Sequence, residues 1–318
     1  MRIDPHVHCR DGKQAYKETI AHVLKLCDEQ GVDMIFDMPN TDPPLLTERD
    51  MTARLEKVPR DDLKRYRLYL GATADEAQLR EAAGLAGQCS QVAGIKLYAG
   101  HSVGSLALAD EASQKKVYAL LAAAGYQGVL AVHAEKETLF TRLFDAARPS
   151  SHSLARPPQA ETAAITDQIA FARAADFRGT VHICHISTAA SLELVKAARQ
   201  DLHITCGVTP HHLLWSMDHM KGREGMLYKV NPPLRELADT IALRQALKRG
   251  EIDWIETDHA PHAICEKLYP PYASGYPSLC LYRSLVEEVL PYWGMSEAMI
   301  RDVTCNNIQR VFGERKFL

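Results

Sequence analysis

The sequence has no apolar run approaching the roughly 20 residues that a membrane span needs, and its first residues, Met1-Arg2-Ile3-Asp4-Pro5-His6, lack the apolar stretch of a signal peptide. No CxxC pair occurs among its eight cysteines, which are scattered from Cys9 to Cys305. Reduced thiols and a cytoplasmic location are the expectation for such a chain. A basic excess is also missing. With 37 Lys and Arg against 40 Asp and Glu the formal net charge is −3, so neither nucleic acid nor an anionic membrane is the expected partner. No GxSxG elbow announces a serine nucleophile. No repeat, low-complexity tract or linker divides the chain, so residues 1–318 read as one domain.

What is present is an ordinary globular balance, 46% hydrophobic and 24% charged over 318 residues. Short apolar or β-branched runs alternate with amphipathic stretches. Strands are expected at Arg2–Val7, Asp33–Met38, Tyr66–Leu70, Ala93–Leu97, Val129–His133, Thr180–His185, His203–Cys206 and Trp254–Thr257. Helices are expected at Tyr16–Gln30, Thr47–Lys57, Asp75–Gln88, Ser113–Gly125, Lys136–Ala147, Ala160–Ala175, Ala189–Gln200 and Leu237–Arg249, then at Ser278–Leu290 and Ser296–Asn306. In the first helix Ile20, Val23, Leu24 and Cys27 make one apolar face, and Gly31 stops it. Eight strand–helix units, with no glycine-rich phosphate loop after the first strand, favour a closed (β/α)8 TIM barrel over an open doubly wound sheet.

In such a barrel, side chains at the C-terminal strand ends share one mouth. Fourteen histidines are present, several beside Asp, Cys or another His. The strand ends gather His6 and His8, Lys96, His133, His185 and Asp258. His6 and His8 are two apart and face the same side of a strand. They can begin a zinc site or be two solvated histidines. Lys96 stands in the apolar run Val92–Tyr98. There it must be paired, led to the mouth or deprotonated, and a deprotonated amine can take up carbon dioxide to give a metal-bridging carbamate. Asp258 suits a metal ligand that also takes a proton, or a helix cap. His185 is nearer its strand end than His182, which reads as a core or supporting residue. Arg10, Asn40, Asn231 and His262 lie in loops around the mouth and suit an anionic, amide-rich substrate. His211 and His212 read as structural.

Taken together, Asp4-Pro5-His6-Val7-His8-Cys9-Arg10-Asp11-Gly12, Asp37-Met38-Pro39-Asn40-Thr41, Gly94-Ile95-Lys96-Leu97-Tyr98, Val132-His133-Ala134-Glu135, His182-Ile183-Cys184-His185-Ile186, Thr209-Pro210-His211-His212-Leu213, Asn231-Pro232-Pro233-Leu234-Arg235 and Thr257-Asp258-His259-Ala260-Pro261-His262 resemble, in order, the amidohydrolase superfamily and within it the dihydroorotases. The resemblance implies two zinc ions bridged by carboxylated Lys96. His6, His8, Lys96 and Asp258 would hold the more buried ion, and Lys96, His133 and His185 the other. It implies a metal-bridging hydroxide as nucleophile in the reversible hydrolysis of dihydroorotate to N-carbamoyl-aspartate, with Asp258 as general acid and base. Arg10, Asn40 and His262 match the residues that grip the substrate carboxylate. An immediate Arg10 after His-Val-His-Cys separates this pattern from hydantoinases, whose ring substrates lack that carboxylate.

Three features depart from the pattern. The small β domain that flanks many related barrels is expected to be absent. Gly207 stands where some relatives carry an acid that joins a cysteine like Cys184 around an additional zinc, so no such ion is expected. The loop Ala99–Ser105 lacks the threonines that some dihydroorotases close over substrate, leaving Ser102 or Ser105 as substitutes. Beside the dihydroorotase reading stand a hydantoinase- or dihydropyrimidinase-like cyclic amidase and a non-catalytic scaffold for aspartate transcarbamoylase. A homo-oligomer or a complex with that transcarbamoylase is the expected higher-order state.

Overall fold

The apolar runs become eight parallel strands: β1 (Ile3–Val7), β2 (Met34–Asp37), β3 (Tyr66–Gly71), β4 (Val92–Ala99), β5 (Val129–Ala134), β6 (Thr180–Ile183), β7 (Ile204–Val208) and β8 (Trp254–Ile255). The computed structural model describes residues 1–101 and 105–317. The strands pair in sequence order. A parallel bridge between Val7 and His259, with the His8 amide donating to the His259 carbonyl at 2.9 Å, brings the last strand back against the first. The result is the expected TIM barrel, its strands linked by helical crossovers.

Local chemistry explains the helix limits. The first helix starts at Ile20 rather than Tyr16 because Thr19 caps it, accepting from the His22 amide, and Gly31 ends it at φ 68°. Its buried residues are Ile20, Val23, Leu24 and Cys27. Asp75, Asp110 and Thr188 cap the helices Glu76–Gln88, Glu111–Ala123 and Ala189–Ala198 in the same way.

One expected helix does not form. Within Lys136–Ala147 only a single turn at Glu137–Leu139 is helical. Its apolar residues have no sheet face to cover, and Leu139 and Leu143 are 38% and 56% exposed. The helix Pro158–Ala174 covers that part of the barrel instead, burying Ala160, Ala164, Ile165, Ile169 and Ala172. The expected strand Thr180–His185 ends at Ile183, so His185 lies beyond it. The C-terminal helices are broken into short α and π turns between Ser278 and Phe312.

The alternation of β residues sorts the core. Outward residues such as Leu68, Ile95, Leu130 and Ile255 pack under the helices. The barrel floor is aromatic. Phe312 sets its ring edge-on to Phe36 at 4.9 Å and lies 6.3 Å from Tyr69 and 5.8 Å from Trp254. With the floor filled, the polar residues at the opposite end face the mouth. Among the described residues no helix is long and apolar enough to cross a membrane.

Candidate metal centre

His6 in β1 and His8 just beyond it converge with Asp258, which follows β8. Asp258 Oδ1 lies 2.9 Å from His8 Nε2 and 3.3 Å from His6 Nε2. All three residues are buried. His8 Nδ1 donates to Asn40 Oδ1 at 2.7 Å. A ring protonated on Nδ1 alone would set the Nε2 lone pair against the carboxylate oxygen, two acceptors that a proton or a cation between them reconciles. Burial would raise the Asp258 pKa, but the bond to His8 and the field of His6 hold it well below the ordinary carboxylate range. His8 is pushed down to about 4, chiefly by burial. A carboxylate with two imidazoles is a zinc-type donor set.

Across the mouth His133, at the end of β5, and His185, past β6, form the second group. His133 Nε2 donates to Glu135 Oε2 at 3.1 Å, and Arg156 Nη2 donates to the same oxygen at 2.6 Å. Glu135 thereby fixes the tautomer that leaves His133 Nδ1 free for a metal. That nitrogen stands 3.3 Å from His185 Nε2. Two nitrogens on one tetrahedral zinc, with bonds of about 2.0–2.1 Å, stand roughly 3.3 Å apart. The spacing therefore suits one shared ion.

Lys96 joins the groups. It is fully buried in β4, and its charge acts on both His6 and His185. Its Nζ donates to Cys184 Sγ at 3.0 Å. Burial alone would raise the Cys184 thiol, but Lys96 draws it down to about 5.

The backbone is bent to deliver these side chains. His185 has φ 37°, Asp258 φ 46° and Arg10 φ 54°. Non-glycine residues rarely enter this left-handed region, and each such position costs about 1–3 kcal/mol that the surroundings must offset. In β6 the period of two turns His182 and Cys184 inward. His185 reaches the mouth only because the chain twists there.

Arg10 extends over the same mouth while 2% exposed. Its Nη2 donates to His262 Nε2 at 3.3 Å and its Nε to the Pro261 carbonyl at 3.4 Å, while Nη1 has no hydrogen-bond partner. Among the described residues no carboxylate lies within ion-pair distance of it. Burial and the Arg10 charge keep His262 well below its ordinary pKa, hence neutral. Arg54 holds Arg10 from behind, donating to its carbonyl at 2.6 Å while paired with Asp37 at 2.6 Å. Asn40 is thus placed on His8. Asn231 is not brought into the cluster: its amide lies 2.9 Å from His152 Nε2 and, with its oxygen turned towards Arg156, 3.3 Å from Nη1. Ser102 lies outside the described residues, and Ser105 is exposed.

Sequence reasoning missed Glu135, Arg156 and Glu256. Glu256 is two residues before Asp258, so strand alternation offered a signal for it. Gly207 does leave β7 without an acid, as expected. A side chain there would collide with the Glu256 carboxyl group, which fills the space from β8. His6, Cys184 and Glu256 consequently form a second close group of donors beside the first. His182, expected to be a supporting residue, donates to Glu256 at 2.9 Å and stacks on Trp254 at 4.3 Å. His211 bonds Ser278 through Nδ1 at 2.7 Å, and His212 bonds the Pro232 carbonyl at 3.1 Å.

No family model matches the chain. Solved structures that share the fold include the L-hydantoinase (dihydropyrimidinase) of Arthrobacter aurescens, with a TM-score of 0.83 at 22% identity over 98% of this chain and 70% of that one. A dihydroorotase of Campylobacter jejuni aligns with a TM-score of 0.72 at 20% identity, covering 98% of this chain and 82% of that one. Curated relatives named dihydroorotase are nearer in sequence. That of Lactobacillus delbrueckii subsp. bulgaricus is 32% identical over 267 residues, 83% of this chain and 61% of that protein. That of Mycobacterium leprae is 34% identical over 275 residues, 83% of this chain and 60% of that protein. The chain thus spans about three fifths of the length of these relatives. The match to the dihydroorotase of Methanothermobacter thermautotrophicus is longer, 31% identical over 322 residues, 98% of this chain and 69% of that protein. A barrel matched along nearly its whole length at that identity belongs to the dihydroorotase family.

Proposed function

We propose that this chain is a metal-dependent dihydroorotase, hydrolysing the ring amide of dihydroorotate to N-carbamoyl-aspartate and running the reverse cyclisation, within pyrimidine synthesis. The observation that carries the reading is Arg10, a buried guanidinium with an unpartnered Nη1 beside the Asp258 cluster. A buried, unpaired cation is costly unless an anion arrives. A carboxylate next to the reacting ring supplies that anion, and a planar guanidinium reads it bidentately.

In this reading His6, His8 and Asp258 would hold one divalent cation and His133 and His185 a second, with Lys96 as a further donor to both groups. As the free amine, Lys96 would add carbon dioxide, forming an N–C bond and releasing a proton, and the resulting carbamate would offer its oxygens as donors. The mixed imidazole and carboxylate donors favour zinc. Bound there, such cations would supply Lewis acidity towards the amide carbonyl and the attacking water. Asp258 accepts the proton of that water as the C–O bond forms. It returns the proton to the ring nitrogen as the C–N bond breaks. Asn40 and Glu135 orient His8 and His133 by the bonds they accept. Arg10 and His262 hold the substrate carboxylate, which fixes the ring against the cations.

The residues 1–318 are read as one barrel domain. Its partner is a small molecule, and its free cysteines suit the cytoplasm.

The test is turnover of dihydroorotate by purified protein supplied with zinc and bicarbonate, with a plain hydantoin run in parallel. Preference for dihydroorotate is expected. Turnover of hydantoin alone would discard the substrate and retain the metal cage, and no turnover by metal-loaded protein would favour the scaffold.

A further inference from the structure

Tyr98 sits two residues beyond Lys96 on β4 and therefore on the same inward face. It stands opposite His133 in the β4–β5 register, with the two rings 6.4 Å apart. Lys96 Nζ is 5.2 Å from its ring centre. The residue is 3% exposed, and its hydroxyl has no hydrogen-bond partner.

That condition is unusual in this chain. Tyr66, Tyr69, Tyr118 and Tyr126 are also buried, and each hydroxyl donates to a protein oxygen, at 2.5, 3.2, 3.1 and 2.9 Å. Tyr282 shares the lack of a partner, but the charges acting on it are those of Asp4, Arg2 and Asp33, away from the mouth. The hydroxyl of Tyr98 lies instead in the field of Cys184, Asp258 and Arg10, and Arg10 in turn feels Asp258 and Tyr98 before any other charge. A guanidinium offers only donors, so the Tyr98 proton finds no acceptor in it. Two unpartnered donors, Tyr98 O–H and Arg10 Nη1, are thus buried on residues near enough for each to act on the other's charge. A ligand oxygen that accepts from both removes both deficits.

We propose that Tyr98 is a further specificity-determining residue, its hydroxyl donating to the same substrate carboxylate that Arg10 pairs with. The proposal rests on the dihydroorotase reading and deepens it. It makes the receptor for the carboxylate a neutral phenol and a cation side by side, selecting ring amides that carry an acid group.

The experiment uses metal-loaded protein and orotate, a planar, carboxylate-bearing analogue that is not hydrolysed. Calorimetric titration of wild type and Tyr98→Phe gives the affinities, and steady-state kinetics with dihydroorotate give KM and kcat. Tyr98→Phe should weaken orotate binding by about tenfold, the effect of one hydrogen bond to a charged group. KM should rise by more than kcat falls, with zinc content and thermal midpoint unchanged. Unaltered orotate affinity in a folded, zinc-loaded Tyr98→Phe overturns the proposal, as does a loss confined to kcat, which would place the hydroxyl at the reacting carbonyl. Arg10→Lys and the double variant complete a cycle in which two residues sharing one carboxylate are coupled, and strictly additive losses also overturn it. A wild-type protein that neither binds orotate nor turns over dihydroorotate fails at the dihydroorotase reading itself.

Discussion

His133 Nδ1 and His185 Nε2 face each other at 3.3 Å, the separation of two ligands on one tetrahedral ion. His133 lies in β5 and His185 just past the neighbouring β6, and each is positioned by a different device. His133 is turned by Glu135, and His185 by its left-handed backbone. Replacing His185 with Asn should cost the chain roughly one of two zinc ions and at least about 100-fold in turnover, since Lewis-acid stabilisation is worth several kcal/mol. Metal analysis alongside kinetics checks this. Unchanged zinc content would remove His185 from the ligand set.

Arg10→Met should keep its zinc and lose dihydroorotate. Charge-assisted hydrogen bonds contribute about 1.5–3 kcal/mol each, so KM should rise by about 10–100-fold. The deficit should not extend to zinc content. A variant with an unchanged KM would show that the carboxylate is read elsewhere.

Asp258→Asn tests proton transfer. Asparagine keeps the shape and an oxygen but accepts no proton, so kcat should fall by about 10²–10⁴-fold. The ion on His133 and His185 should persist, which zinc analysis can verify. Near-normal kcat would transfer the acid–base role to another group.

Glu135 gives a pH signature. Burial would raise its pKa, but Arg156 and His133 hold it well below the ordinary value near 4.5. A carboxylate so depressed contributes stability that is complete above its unfolded pKa and is lost as pH falls through the folded one. In urea titrations of metal-free protein, the stability gap between wild type and Glu135→Gln should therefore be widest at neutral pH and shrink steadily below pH 4.5. A gap that is constant with pH would deny the ion pair its role. Zinc affinity of the variant should fall about 10–100-fold, as for other lost supports of a ligating histidine.

The barrel was legible because its strands are short apolar runs bounded by turn residues, a pattern few other folds repeat eight times. The Lys136–Ala147 error has a plain cause. Leu139 and Leu143 supply a helical period, but periodicity carries no information on whether a surface exists to receive them. His6 with His8, and Lys96 with its strand neighbours, were readable because a period of two fixes which side chains turn inward. His185 breaks that period, and only its place near the strand end marks it in the sequence. The service of Glu256 beside Cys184 was hidden, since it depends on the room left by Gly207 on the neighbouring strand. Glu135 with Arg156 joins residues 21 apart through a loop whose path the sequence does not disclose.

His8 and Asp258 are 250 residues apart along the chain, yet their side chains meet at 2.9 Å. During synthesis the first ligands leave the ribosome long before the last one is made. No nascent fragment that lacks Asp258 owns the complete cage. The proposed cage therefore becomes complete only once Asp258 has been made, so a full set of donors would meet the ion in a folded barrel rather than template its growth.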